Sequence, residues 1–164
     1  MVPVYRYVLD TSAILARKMN ISSPEYVTTQ SVMNEIRLGK IARLTDYSSG
    51  ILAVMEPKPE SVERVRMAAS RTGDLAELSP TDIDVVALAL DLNIGLISDD
   101  YAIQNVSRFL GIGTSGADLK EIGKEITWKY RCTGCGKVYA RDVGNCSVCG
   151  HSLKRAVKSY KIVK

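Results

Sequence analysis

The apolar residues of this chain recur in two rhythms, short unbroken runs and helical spacings, and the two alternate along its first two thirds. Short runs bounded by polar or turn residues predict strands at Tyr5–Leu9, Tyr26–Thr28, Ile51–Val54 and Gly95–Ser98. Helical spacing predicts helices at Ser12–Met19, Ser31–Ile41, Glu60–Ser70, Thr81–Leu92 and Asp100–Leu110. In the fourth of these, Ile83, Val86, Ala87 and Leu90 fall on one face, which predicts a single core-facing stripe. Strands that alternate with helices imply crossover connections, hence an α/β fold with a parallel sheet flanked by helices. The glycine-rich stretch 111–123 reads as a hinge, dividing a body at 1–122 from a small C-terminal module at 123–164. A chain of 164 residues supports one sizeable core with such a satellite.

The first strand ends on a bare carboxylate, Asp10, at the edge of the expected core, where a charge is costly unless something pairs with it. Open parallel sheets bind ligands beyond the carboxyl ends of their strands. Asp10 is placed there after strand one, and Asp99 and Asp100 after the strand Gly95–Ser98. Glu35 and Asp82 lie on helices that open onto the same edge. Carboxylates gathered at one edge repel, and a divalent cation with all-oxygen ligands, Mg²⁺ or Mn²⁺, resolves the repulsion. Such a centre activates water and stabilises displacement at phosphorus, which suits phosphodiester hydrolysis. The single histidine, His151, excludes an acid–base pair of histidines within one chain. Each acid also has a plainer role open to it. Asp82 completes a helix start, Ser79-Pro80-Thr81-Asp82; Asp99 and Asp100 can cap the following helix; Glu35 and Asp84 can be solvated surface.

Charge and cysteine spacing add a second chemistry. Residues 129–164 hold nine Lys and Arg against one acid, Asp142, a net +8, whereas residues 1–128 sum to −4. An acidic body with a basic tail points to a polyanionic partner. The tail also carries Cys132-x₂-Cys135 and Cys146-x₂-Cys149, ten residues apart, with Gly134, Gly136 and Gly150 beside the knuckles. Paired CxxC motifs of this spacing predict one tetrahedral, closed, structural Zn²⁺ site; iron in a rubredoxin-like site stays open on ligands alone. His151 is surplus to four thiolates and is read as an exposed side chain. Lys137, Arg141, Lys154 and Arg155 are candidates for phosphate contact. Among the aromatic residues, Trp128 and Tyr130 are expected to pack, and Tyr139 and Tyr160 are further candidates for stacking on bases. No basic leader, long apolar core and small-residue cleavage site begin the chain, and no window is apolar enough to span a membrane, which predicts a cytoplasmic address.

On these residues the chain resembles the PIN-domain nucleases: Leu9-Asp10-Thr11-Ser12, a helical Glu35, the D-x₄-A-x-A pattern of Asp82, Ala87 and Ala89, and Ser98-Asp99-Asp100. More narrowly, VLDTSAIL, LSPTDIDVVALAL, ISDDYAIQNV and WKYRCTGCGKVY resemble archaeal members of the NOB family of ribosome-assembly endoribonucleases, over almost the whole chain. The resemblance implies a PIN domain joined to a zinc ribbon, and Mn²⁺- or Mg²⁺-dependent cleavage of precursor small-subunit (16S) rRNA at its mature 3′ end. It implies the pre-30S particle and other assembly factors as partners. It carries Asp10, Glu35 and Asp82 over as acidic site positions, with Asp82 preferred to Asp84, and leaves Asp99 and Asp100 both as candidates for the fourth. Three rivals stand beside this reading. A haloacid-dehalogenase-type phosphatase needs a second aspartate two positions after the first, where this chain has Ser12. The others are a toxin-type PIN ribonuclease acting on tRNA and a non-catalytic RNA-binding assembly factor.

Overall fold

The structure is a computed structural model that describes residues 4–16, 20–21, 23–38, 52–116 and 124–162. In chain order its elements are β1 (Tyr7–Leu9), α1 (Thr11–Leu15), β2 (Tyr26–Thr28), α2 (Gln30–Leu38), β3 (Ala53–Val54), α3 (Pro59–Thr72), α4 (Pro80–Leu92), β4 (Gly95–Ile97), α5 (Tyr101–Phe109), β5 (Thr114–Ser115), β6 (Lys124–Cys132), β7 (Val138–Tyr139) and β8 (Leu153–Ile162). The first five strands form a parallel sheet in the order β3-β2-β1-β4-β5. Helices flank it, as the alternation of strand and helix requires. The expected ends of α1 and α2, the first residue of the strand at Ile51–Val54, and residues 117–123 of the hinge lie outside the described residues. The part of the hinge that is described is ordered differently from the expectation, because Thr114–Ser115 pairs with Leu96–Ile97 as a fifth strand.

β1 runs through the centre of the sheet, with Val8 opposite Val27 on one side and Leu96 on the other. Val8, Leu9, Val27 and Leu96 are fully buried, as parallel strands covered on both faces must be. The strand end is closed tightly. The Asp10 backbone N–H donates to Ile97 O (3.1 Å), and the buried Thr28 hydroxyl donates to Leu9 O (2.8 Å). α4 departs from the single-stripe expectation: Val85, Leu88 and Ala89 are buried along with Ile83, Val86 and Ala87, while Leu90 is only half-buried. The helix is enclosed by the sheet and by α2, α3 and α5, so nearly its whole circumference is core. Among the described residues no helix is long and apolar enough to cross a membrane.

The C-terminal segment forms a second, antiparallel sheet in the order β7-β6-β8, with a register shift at Thr127/Trp128. Its contacts with the first unit, among the described residues, centre on α5 and the loop after α3. The Asn105 side chain on α5 imitates a strand partner, accepting from Ile126 N (2.6 Å) and donating to Ile126 O (2.6 Å). The same amide donates to Asp74, which is 1% exposed and also takes an ion pair from Arg155 of β8. Arg155 reaches Glu77 as well and lies over the Trp128 ring, 4.4 Å from its centroid. Tyr130 is buried and Trp128 half-buried, as expected for packing rings.

Gly73 ends α3 in the left-handed region (φ 84°), and a Cβ there would come within 2.9 Å of Trp128 Cβ. Gly73→Ala therefore combines a strained backbone, roughly 1–2 kcal/mol, with a clash against the second sheet. The expected outcome is a melting temperature lower by several degrees, read by thermal unfolding.

Candidate active site and metal centre

β1 delivers Asp10 to the edge of the sheet, and the chain turns there into α1 with Asp10 as the capping residue (φ −81°, ψ 166°). What holds this carboxylate is a set of neutral donors. Oδ1 accepts from Thr11 N (2.6 Å), and Oδ2 accepts from the hydroxyls of Ser12 (2.8 Å) and Ser98 (2.8 Å). Asp10 is 4% exposed. Burial pushes its pKa above the ordinary 3.8, and the bonds from Ser98, Ser12 and Thr11 offset only part of that rise.

Asp99 and Asp100 are joined to Asp10 through the same two hydroxyls. Ser12 Oγ accepts from Asp99 N (3.2 Å), and Ser98 Oγ accepts from Asp100 N (3.1 Å). Thr11, next in chain to Asp10, donates its hydroxyl to Glu35 Oε2 (2.8 Å), which brings the exposed end of α2 to this edge. Gln104, fully buried on α5, donates to Ser98 O (2.8 Å) and fixes the strand end from beneath. Asp82 closes a capping box with Ser79 (2.7 and 3.2 Å). Burial raises its pKa, the Ser79 bonds lower it, and repulsion from Asp10 and Asp100 raises it further. Asp82 is thus both the cap that its sequence context predicts and a member of the same electrostatic neighbourhood. Asp100 caps α5 through Oδ1, accepting from Ala102 N (2.7 Å) and Ile103 N (3.1 Å). Asp99 is half-buried, and Asp84 is only partly exposed on α4.

The acids surround Asp10 without closing on one another. Among the described residues, the one group of potential ligands whose donor atoms all lie within 4.8 Å of each other is Cys132, Cys135, Cys146 and Cys149. Its Sγ–Sγ separations include 3.3 Å (Cys132–Cys149) and 3.5 Å (Cys135–Cys146). A disulfide needs about 2.05 Å; four sulfurs at about 2.3 Å from one tetrahedral zinc lie about 3.8 Å apart. The donor set therefore fits a zinc ion. Backbone N–H groups in each knuckle point at sulfur, Gly134 N to Cys132 (3.3 Å) and Val148 N to Cys146 (3.4 Å). His151 packs its ring over Gly134 and contacts Cys149 O (3.1 Å), and it is not among the four grouped ligands.

Several contributors had no signal in the sequence beyond their residue type. The Tyr139 hydroxyl lies 3.1 Å from Cys146 Sγ and accepts from Ser147 N (3.0 Å), and it is the main cause that brings the Cys146 thiol down to about 5. Tyr139 is thereby a support of the cysteine cluster. Ser98 and Gln104 support Asp10 across 88 residues of chain and from the helix below, respectively. Of the four basic candidates, Lys137, Arg141 and Lys154 are exposed. Arg155 differs from these three: its guanidinium contacts Asp74, Glu77 and the Trp128 ring, so it ties the two sheets together.

Residues 7–92 match the family model described as the PIN domain of ribonuclease. The chain is 44% identical over 149 residues to Ribonuclease VapC1 of Thermoplasma acidophilum, covering 91% of this chain and 77% of that one. It is 42% identical over 161 residues to Endoribonuclease Nob1 of Archaeoglobus fulgidus, covering 94% and 93%. In fold it is similar to the crystal structure of PAE2754 from Pyrobaculum aerophilum, with a TM-score of 0.50 at 19% identity over 70% of this chain and 92% of that one.

A raised pKa means that the folded state holds the Asp10 proton more tightly than the unfolded chain, so this group's contribution to stability falls as pH rises from about 3.8 through the folded value. Without added divalent ions, Asp10→Asn is expected to melt higher than wild type at pH 7, with the advantage shrinking toward pH 4. Thermal unfolding of both proteins across that range is the check.

Proposed function

The chain belongs to the Nob1 family of PIN-domain endoribonucleases with a C-terminal four-cysteine cluster, and from that premise we propose that it cuts precursor small-subunit rRNA at the mature 3′ end. The observation that carries the reading is the hydroxyl-bridged set of acids around Asp10. Asp10, Glu35, Asp82 and the pair Asp99 and Asp100 offer oxygen donors alone, which suits Mn²⁺ or Mg²⁺. When bound, such an ion supplies an activated water and a clamp for the charge that develops on phosphate.

The protein's own residues do the rest. Ser12 and Ser98 both donate to Oδ2 and so aim the strand-end carboxylate, and Thr11 holds Glu35 to the same rim. The raised pKa values of Asp10 and Asp82 fit a site whose carboxylates are stabilised by a cation and strained without one. An acidic edge repels RNA, and the basic second sheet supplies the attraction, with Lys137, Arg141 and Lys154 as phosphate contacts. One zinc ion on Cys132, Cys135, Cys146 and Cys149 would hold that sheet's knuckles together as a structural centre. The proposed place of action is the assembling small subunit in the cytoplasm.

A second reading is a toxin-type ribonuclease acting on tRNA; the 44% identity to a protein named Ribonuclease VapC1 supports ribonuclease activity and is compatible with either substrate. Purified protein with Mn²⁺ is expected to cut a short RNA spanning the precursor 3′ end at one position and to leave a tRNA panel intact. EDTA or Asp10→Asn is expected to abolish cleavage. Ser98→Ala should lower it by about 10–100-fold, as for other residues that orient metal ligands. Cleavage by Asp10→Asn equal to wild type would remove Asp10 from the mechanism, and efficient tRNA cleavage would favour the second reading.

A further inference from the structure

A groove of about 350 Å³ runs between the two sheets' territories, bordered by Leu75 and Ala76 from the loop after α3 and by Ala140, Arg141 and Asp142 from the turn after β7, with Tyr130 lining it. We infer that this groove is a subsite for one unpaired nucleotide of the RNA strand, its base lying between Leu75/Ala76 and Ala140 and its phosphate on Arg141. The inference rests on the endoribonuclease reading and names a binding contact that lies away from the carboxylates.

Three observations carry it. The volume falls in the range of about 300–1,000 Å³ typical of small-ligand sites, large enough for a nucleotide and too small for a folded partner. Its chemistry is that of a base: apolar walls for the ring faces, with an exposed cation and a carboxylate at the rim for phosphate and base edge. Leu75 is 40% exposed beside the groove, so part of its apolar surface is still available to a ligand. Asp142 uses Oδ1 to accept from Gly144 N (2.8 Å), and its other oxygen suits the amino group of cytosine or guanine.

The groove is also preformed. Its walls come from different parts of the chain, yet Arg155 on Asp74 and Glu77, Asn105 on Ile126, and the Tyr130 hydroxyl on Gly73 O (3.4 Å) fix one wall against the other. A preformed slot orders little on binding, which favours affinity. Position completes the case. Ala76 precedes Asp82 by six residues, at most about 21 Å of extended chain. A strand lying along this loop would place one nucleotide in the groove and another a few positions away at the acidic edge.

The test uses zinc-loaded full-length protein without added Mn²⁺ or Mg²⁺, and fluorescence anisotropy of a labelled single-stranded RNA. Ala76→Trp and Ala140→Trp fill the groove at exposed positions, so the fold is expected to survive, with melting temperature and zinc content as controls. Each should weaken RNA binding roughly ten-fold, the scale of one lost stacked base. Arg141→Ala should weaken it and reduce the salt dependence of binding by about one phosphate contact. In methyl NMR, the Ala76 and Ala140 signals should move with CMP or GMP and stay still with inorganic phosphate. Wild-type affinity in both tryptophan variants, or methyl shifts with phosphate alone, would overturn the subsite. Because binding is read without Mn²⁺ or Mg²⁺, this result is independent of whether Asp10 supports cleavage.

Discussion

A buried carboxylate held by neutral hydroxyls is the constraint around which this molecule is arranged. Asp10 stands at the end of a central parallel strand, where its charge is desolvated and where, among the described residues, no basic side chain forms an ion pair with it. Ser12 and Ser98 bond it without neutralising it, so the negative charge persists as a demand on whatever binds at the edge. A salt bridge at this position would stabilise the fold and leave nothing for a cation. The two hydroxyls also accept from the backbone N–H groups of Asp99 and Asp100, and the position of one carboxylate thereby sets the positions of its neighbours. Stability is given up at the strand end, a pattern common at functional sites.

The second organising contact is the junction between the sheets. Asp74 is as buried as any core residue, and it is matched by Arg155 and Asn105. A charge enclosed this way is costly to separate from its partner. The basic sheet therefore has a defined seat on the acidic body, and the groove beside Tyr130 follows from that seat. In the proposed function, attraction of RNA and its cleavage fall to different surfaces, held in one arrangement by a few polar contacts.

Much of this was legible in the chain because the signals are local. Tyr26–Thr28 is a strand as its apolar run predicts, α4 begins at the Ser79–Asp82 start signal, and the CxxC spacing predicts the sulfur cluster. Asp10 stood out for the same reason, as a charge that ends an apolar run. What escaped notice depends on partners distant in sequence. Ser98 gives no sign of serving Asp10 until β1 and β4 are paired, and Arg155 looks like any basic residue of a basic tail until Asp74 is brought beneath it. Periodicity failed for α4 because a helix enclosed on nearly all sides has no polar face to reveal its orientation. β5 has only two residues and lies among glycines, where no run can build.

The central claim is that Asp10 and the acids joined to it form one cation site. Anomalous diffraction from an Mn²⁺-soaked crystal, recorded at the manganese edge and compared with the zinc edge, tests it most directly. A manganese peak coordinated by Asp10 and at least one of Asp99 and Asp100, separate from a zinc peak among the four cysteines, is the predicted result. A manganese peak elsewhere with none beside Asp10 would contradict the account.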